Sequence, residues 1–297
     1  MKGSSIYIDL LKVFSDIAKT KSFSKAAELN FISQSAVSQQ ILFLENHFDK
    51  QLIIRGRGKF SLTHEGRIFL NGCHSILDLF QETVDLMDAK LGKTKQTVNI
   101  ETIYSIGFYR LPRCIKQFMS ENKNINLHIE YSRSDKIYNN VIQGDCDIGI
   151  TAYPWNHPLI DIQYVKNEKL VAVCAPSFHL STNLKISIKE LNNLEFISFT
   201  HEIPTRSYID SILKDNNIAV NHLHEFDNIE TLKRSLEIGN GMAILPENTI
   251  VQEISNNDLV SIELAEGPFF RKIGVITRKD RPQSKTIKKI VKFLNKL

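Results

Sequence analysis

The sequence predicts an α/β protein in unlike parts: a small helical unit with a two-stranded hairpin, one long helix, and a C-terminal region of two similar α/β lobes. Three observations carry this. Apolar residues in the first 50 positions recur at helical spacing in short pieces, a single seam from Phe69 to Leu91 keeps that spacing without interruption, and strand-like and helix-like segments alternate after residue 96. The chain has 297 residues, 42% of them hydrophobic and 24% charged. That suffices for two or three domains of roughly 100 to 200 residues each.

Leu10, Phe14, Ile17 and Ala18 fall on one helical face, and Val37, Ile41, Leu44 and Phe48 on another. Between them, Ser24 is placed to cap a helix through Lys25, Ala26, Ala27 and Leu29, and Ser33 the next helix, beginning at Gln34. Residues 52–63 switch to short apolar runs around Gly56 and Gly58, the pattern of a hairpin or wing. The seam then runs through Phe69, Cys73, Ile76, Phe80, Val84, Met87 and Leu91, with Glu82, Asp85, Asp88 and Lys90 off it, until Gly92-Lys93-Thr94-Lys95 ends the helix and starts a linker. A long helix with a narrow apolar seam needs that seam buried; a second copy is the simplest partner.

Beyond residue 96, Val98–Thr102, a helix near Ile106–Met119, Leu127–Tyr131, a helix from Ser134 and Asp147–Thr151 read as βαβαβ. A second set follows with Leu170–Ala175, Phe196–Phe199, helices from Thr205 and over Ile229–Ile238, and Met242–Leu245; Arg271–Thr277 adds a strand and Ile287 to Leu294 a last amphipathic helix. Crossings are expected near Gln163–Lys166 and Gly267–Arg271. The division expected is therefore 1–63 for the first unit, 64–95 for linker helix and hinge, and 96–297 for the lobes, lobe I taking 96–163 and 268–297 and lobe II 164–267.

The net charge of +4 permits a polyanionic partner without requiring one. No run of about 18 apolar residues suggests a membrane span, and Asp9 interrupts what a signal peptide would keep apolar, so the cytoplasm is expected. Cys73, Cys114, Cys146 and Cys174 form no CxxC pair and read as reduced thiols. No GxSxG, HExxH or phosphate-loop motif occurs, so no enzyme is expected. His222 and His224 alternate on a strand without a third ligand, so neither a metal nor a cofactor is expected.

The helix opened by Ser33 buries Val37, Ile41 and Leu44, leaving Gln34, Ser35, Ser38 and Gln39 on its opposite face near the N-terminus. These short hydrogen-bonding side chains suit base edges in a major groove. Arg55, Arg57 and Lys59 in the hairpin, flanked by Lys50 and Arg67, supply charge for phosphates. Phe23-Ser24-Lys25-Ala26-Ala27-Glu28-Leu29, Ser33-Gln34-Ser35-Ala36-Val37-Ser38-Gln39-Gln40-Ile41 and Leu44-Glu45, continued by Leu52, Arg55, Leu62-Thr63, Glu65 and Gly66, resemble the N-terminal signature of the LysR-type transcription regulators. Gln39 stands where many relatives have arginine. The resemblance covers essentially the whole chain. It implies a winged helix-turn-helix, a dimerising linker helix and a two-lobed effector domain of the periplasmic-binding-protein fold. Its implied partners are double-stranded DNA at a pseudo-palindromic promoter site, a small-molecule effector, further copies of the chain as homodimer or homotetramer, and RNA polymerase.

Ligands in open α/β sheets settle beyond strand C-terminal ends, where helix N-termini offer free amides. Ser105 follows the first such strand and matches the position where relatives place a ligand-binding Ser or Thr, and Ser134 occupies the corresponding place after the next strand, though serine there also serves as a plain helix cap. Thr205-Arg206 resembles the end of a loop that holds acidic effectors in relatives, with Ser198 and Thr200 on the preceding strand and Thr151 on the facing lobe. Arg206 would bind an anionic metabolite bidentately, or else pair with Glu202 or the surface. The stretches Asn228–Lys233 and Gly239–Pro246 resemble regulators of carbon-fixation operons.

Overall fold

The computed structural model describes residues 6–56, 59–90, 96–165, 167–280 and 283–295. Two compact units emerge, Met1–Gln96 with Lys279–Ser284, and Thr97–Arg278 with Lys285–Leu297. In the first, α1 (Ile8–Thr20), α2 (Phe23–Leu29) and α3 (Gln34–Phe48) enclose Leu10, Phe14, Ile17, Ala26, Ala27, Val37, Ile41 and Leu44. Ser33 caps α3 as its position suggests, its Oγ accepting from the Ala36 N–H at 3.1 Å. The start of α2 differs from expectation: Ser22 is the cap, accepting from the Lys25 N–H at 3.3 Å, and Ser24 lies inside the first turn.

The antiparallel hairpin β1 (Ile53–Gly56) and β2 (Lys59–Leu62) follows. Glu45 ties its root to α3, Oε1 accepting from the Leu52 N–H at 2.9 Å and the Ile53 N–H at 3.1 Å. This gives the Leu44-Glu45 pair a physical role: one residue fills the core and the next holds the wing. The long helix α4 spans His64–Lys90. A Cβ at Gly66 would lie 2.0 Å from the Leu52 carbonyl oxygen, so only glycine lets α4 start this close to the hairpin. Phe69 meets Phe14 edge-on at 5.0 Å and Cys73 is buried, so the first part of the apolar seam belongs to the unit's own core. Ile76, Phe80 and Met87 remain 50%, 47% and 64% exposed. Leu91 and the segment 92–95 lie outside the described residues.

The second unit contains two lobes. In lobe I, β3 (Gln96–Thr102), β4 (Ile125–Tyr131), β5 (Ile148–Ala152), β6 (Ile160–Tyr164) and β14 (Ile273–Arg278) form a sheet of order β4-β3-β5-β14-β6. Its helices are α5 (Tyr104–Gly107), α6 (Leu111–Glu121), α7 (Ser134–Gln143) and α11 (Lys285–Leu294). The single helix expected near Ile106–Met119 divides into α5 and α6 because Pro112, which has no N–H to donate, sits at the start of a new helix.

Lobe II is a seven-stranded sheet of β7 (Glu168–Cys174), β8 (Lys185–Ile186), β9 (Glu195–Phe199), β10 (Asn221–Phe226), β11 (Met242–Pro246), β12 (Val260–Leu264) and β13 (Phe269–Arg271), with helices α8 (Pro204–Asp215), α9 (Ile229–Glu237) and α10 (Val251–Ser255). Its core includes Val171, Val173, Phe196, Ile197, Leu232, Leu236 and Ile244. The strand read as Arg271–Thr277 is two strands: Arg271 pairs with Glu168 on β7, whereas Ile273 pairs with Ala152 on β5. The second change of sheet thus falls at Lys272, just past the Gly267–Arg271 stretch where the sequence suggested it.

Candidate functional site

Two sets of residues carry the candidate chemistry. On α3, Gln34, Ser35 and Gln39 are exposed and Ser38 is half-buried, while Val37, Ile41 and Leu44 point into the core. Local bonds order the first turn: Ser33 Oγ and Ser35 Oγ are 2.8 Å apart, and Ser24 Oγ donates to Gln34 Oε1 at 3.3 Å. Leu42, 54% exposed, lies two helical turns beyond Ser35 on the same face, and Phe31 is 96% exposed in the turn before the helix. Sequence reading passed over both. Arg55 and Lys59 stand on β1 and β2, but their side chains and the whole of Arg57 lie outside the described residues.

Between the lobes of the second unit is a cavity of about 130 Å³. Lobe I contributes Tyr104, Ser105, Ser132, Arg133 and Ser134; lobe II contributes Thr205, Asn228 and Ile229; Arg271 reaches it from β13. The N-terminus of α7 and that of α8 come to it from opposite lobes, and neither has a side-chain cap. Both positive dipole ends therefore face an anion, and α7 offers its leading N–H groups, whereas α8 opens with Pro204, which has none, and its Arg206 N–H bonds the Ile203 carbonyl. Ser134 is the first residue of α7 rather than its cap, and its Oγ lies 2.6 Å from Thr151 Oγ1, both side chains being buried. Ser105 does not cap either, because its Oγ accepts from Arg271 Nη1 at 3.0 Å.

Arg271 is the residue that sequence reading missed. Its Nε donates to Glu168 Oε2 at 2.7 Å and its Nη2 to the same oxygen, and the guanidinium is only 1% exposed. Glu168 also accepts from Arg110 Nη1 at 3.4 Å and Asn248 Nδ2 at 3.0 Å. Glu168 and Ser105 between them engage three of the five guanidinium N–H groups, and Arg271 lines the cavity. The available signal was the pair Arg271-Lys272 between Phe269-Phe270 and the run Ile273–Ile276.

Four sequence-derived site residues do not line the cavity: Thr151, which bonds Ser134, and Arg206, Ser198 and Thr200, which lie elsewhere. Successive helical residues are rotated by about 100°, so with Thr205 facing the cavity Arg206 faces β10 instead. Its Nε donates to Asp210 at 2.7 and 2.9 Å, and its Nη1 to Glu225 Oε1 at 2.8 Å and the Phe199 carbonyl at 2.6 Å. Burial works against this cation, but Glu225 and Asp210 outweigh it and raise its pKa. Glu202, the partner weighed from sequence, is not among these contacts. Ser198 is also turned to β10, with Oγ 2.8 Å from His222 Nδ1. Burial first, then the Arg206 cation, holds the His222 pKa below its ordinary value. Thr200 lies just past β9, with its N–H on the Phe226 carbonyl at 2.9 Å, and does not line the cavity.

A helix-turn-helix with a polar leading helix face, carried by a chain whose other unit encloses a cavity at opposed helix N-termini, has the parts of a ligand-responsive DNA-binding regulator. Residues 8–67 match the bacterial regulatory helix-turn-helix protein family, lysR type, and residues 92–297 match the LysR substrate binding domain. The chain belongs to the LysR family and is a transcription regulator rather than an enzyme. It is 29% identical to a probable RuBisCO transcriptional regulator of Phaeodactylum tricornutum, over 97% of this chain and 95% of that one. It is 30% identical to the protein of the same description in Thalassiosira pseudonana, over 93% and 92%. A full-length OxyR variant from Pseudomonas aeruginosa shares the fold with a TM-score of 0.72 at 19% identity, covering 98% of this chain and 95% of that chain. The regulatory domain of Synechocystis CcmR, solved in complex with 2-PG, superposes with a TM-score of 0.62 at 19% identity, covering 68% and 96%. Among the described residues, no helix is long and apolar enough to cross a membrane.

Proposed function

We propose that the chain binds a pseudo-palindromic promoter site as a homodimer or homotetramer and that a small anionic metabolite in the interlobe cavity sets how it does so. The observation that carries the anion is the convergence of two uncapped helix N-termini, α7 and α8, on one cavity with Arg271 in its wall. Fixed amides and a buried guanidinium favour negative charge before any ligand arrives, so little is lost in reorganisation. Ser105, Ser134 and Thr205 supply hydroxyls, with Thr151 orienting Ser134. The Synechocystis CcmR regulatory domain was solved in complex with 2-PG, which makes 2-PG one compound to include in a ligand screen of this chain.

Exposed Gln34, Ser35 and Gln39, with Ser38, support base contacts, and Arg55, Arg57 and Lys59 are assigned to phosphates. The exposed part of the α4 seam, Ile76, Phe80 and Met87, supports pairing with a second copy. The same reading places the protein in the cytoplasm, in contact with RNA polymerase at its promoter. A thermal-shift screen of carboxylated and phosphorylated metabolites, followed by calorimetry on Ser134→Ala and Thr205→Val, tests the cavity. Weaker binding in both variants is expected; unchanged affinity in both would place the effector elsewhere.

A further inference from the structure

The cavity's two walls meet again within a helical turn of it, in a cluster around the buried Lys233 that the effector reading leaves unused. On lobe I, α5 begins with Tyr104 and Ser105 at the cavity and leads directly to Tyr109. On lobe II, Asn228 and Ile229 line the cavity and α9 continues to Glu230 and Lys233. Tyr109 packs against the hydrophobic core of lobe II, and its hydroxyl donates to Glu230 Oε1. Lys233 Nζ donates to the Tyr109 oxygen, to Glu253 Oε1 at 2.6 Å and to the Thr249 carbonyl at 3.1 Å, and lies 3.3 Å from Glu230 Oε2.

The Lys233 side chain is 2% exposed and that of Glu253 7%. A buried ammonium persists only while its N–H groups are matched, and here one match comes from the other lobe. The Tyr109 hydroxyl is the lobe I member of this set, serving Glu230 as donor and Lys233 as acceptor at once. Burial, and then Glu230, push its pKa well above the ordinary tyrosine value, so it keeps its proton. Separating the lobes breaks both bonds together, which makes the contact all-or-none rather than gradual.

We propose that Tyr109, Glu230 and Lys233 are positioning residues forming an interlobe latch, through which occupancy of the cavity becomes a defined lobe arrangement. The inference rests on the reading of the cavity as the effector site. An occupant that touches Ser105 and the start of α9 bears on the two segments that the latch joins, so it biases the latch without touching it.

Hydrogen exchange on the full chain tests this, with Tyr109→Phe removing the hydroxyl and keeping the ring. Two bonds to charged partners are lost, so amide exchange over 104–111 and 229–236 should accelerate roughly ten- to hundredfold. Glu230→Ala, at a side chain 40% exposed and thus tolerant of change, removes one of the two bonds and should give a smaller acceleration over 104–111, in the same direction. Unchanged exchange in both variants would reduce Tyr109 to a packing residue and overturn the latch. Inorganic phosphate is the probe for coupling: in wild type it should slow exchange at 132–137 and 203–208 and at the latch, and in Tyr109→Phe at the cavity segments alone. Protection of the wild-type cavity without the latch overturns the coupling and leaves the effector reading intact. No protection at either overturns the coupling together with that reading for phosphate, while the variant arms still decide whether the latch holds the lobes.

Discussion

Replacing Arg206 by alanine separates an effector ligand from a structural residue. The guanidinium is only 3% exposed and engages Asp210, Glu225 and the Phe199 carbonyl. Hydrogen bonds to charged groups contribute about 1.5–3 kcal/mol each, but the two carboxylates are 39% and 35% exposed and regain water when the cation is removed. Discounting for that, the net loss should be about 2–3 kcal/mol. For a unit of this size that lowers the melting temperature by about 4–12 °C. Because the side chain faces β10, affinity for a cavity anion should stay within about twofold of wild type, below the 1.4 kcal/mol that marks a tenfold change. The assay pairs denaturant unfolding with calorimetric titration of the anion that the screen identifies. A variant of wild-type stability that no longer binds the anion would refute the assignment and restore Arg206 to the cavity.

Further outcomes follow from the same geometry. Gln34→Ala should cost about 1–3 kcal/mol at one base position of a selected duplex while sparing nonspecific binding; a base-substitution series with unchanged preference would remove Gln34 from the readout. Phe80→Asp places charge in the exposed α4 seam and should yield monomers in sedimentation, and a folded dimeric variant would contradict the helix pairing. His222 has its pKa held below 6.5 in the folded state, so the unfolded chain protonates first and stability should fall as pH drops below 6.5. His222→Gln should flatten that part of the profile, and an identical slope in both proteins would show that the group does not titrate as described.

Much of this architecture was legible because it rests on local chemistry. The periodicity of Leu10, Phe14 and Ile17, and of Val37, Ile41 and Leu44, marks the core of the first unit residue by residue. Ser105, Ser134 and Thr205 were found because strand ends and helix starts leave a sequence signature, and all three line one cavity. What escaped depends on long-range partners. Arg271 reads as one polar residue in a strand until β13 brings it onto Glu168, 103 positions earlier in the chain. Tyr109 and Lys233 are likewise inconspicuous until they are seen to meet across 124 positions. Arg206 failed for a smaller reason, one residue of helical rotation. The α4 seam was visible as a pattern, but its division at Cys73 into a core part and an exposed part depends on where α1 lies.

The central claim is that an anion at the opposed N-termini of α7 and α8 changes how the protein engages DNA. Its most direct test is footprinting of the full chain on a duplex selected from a random library, with and without the anion that the thermal-shift screen identifies, using wild type and Ser134→Asp. The new carboxylate would occupy the start of α7 and repel an incoming anion. The expected result is a change in footprint length or affinity of several-fold in wild type at constant ionic strength, and none in the variant, whose footprint without ligand stays intact. An equal response of both proteins to that anion would contradict it.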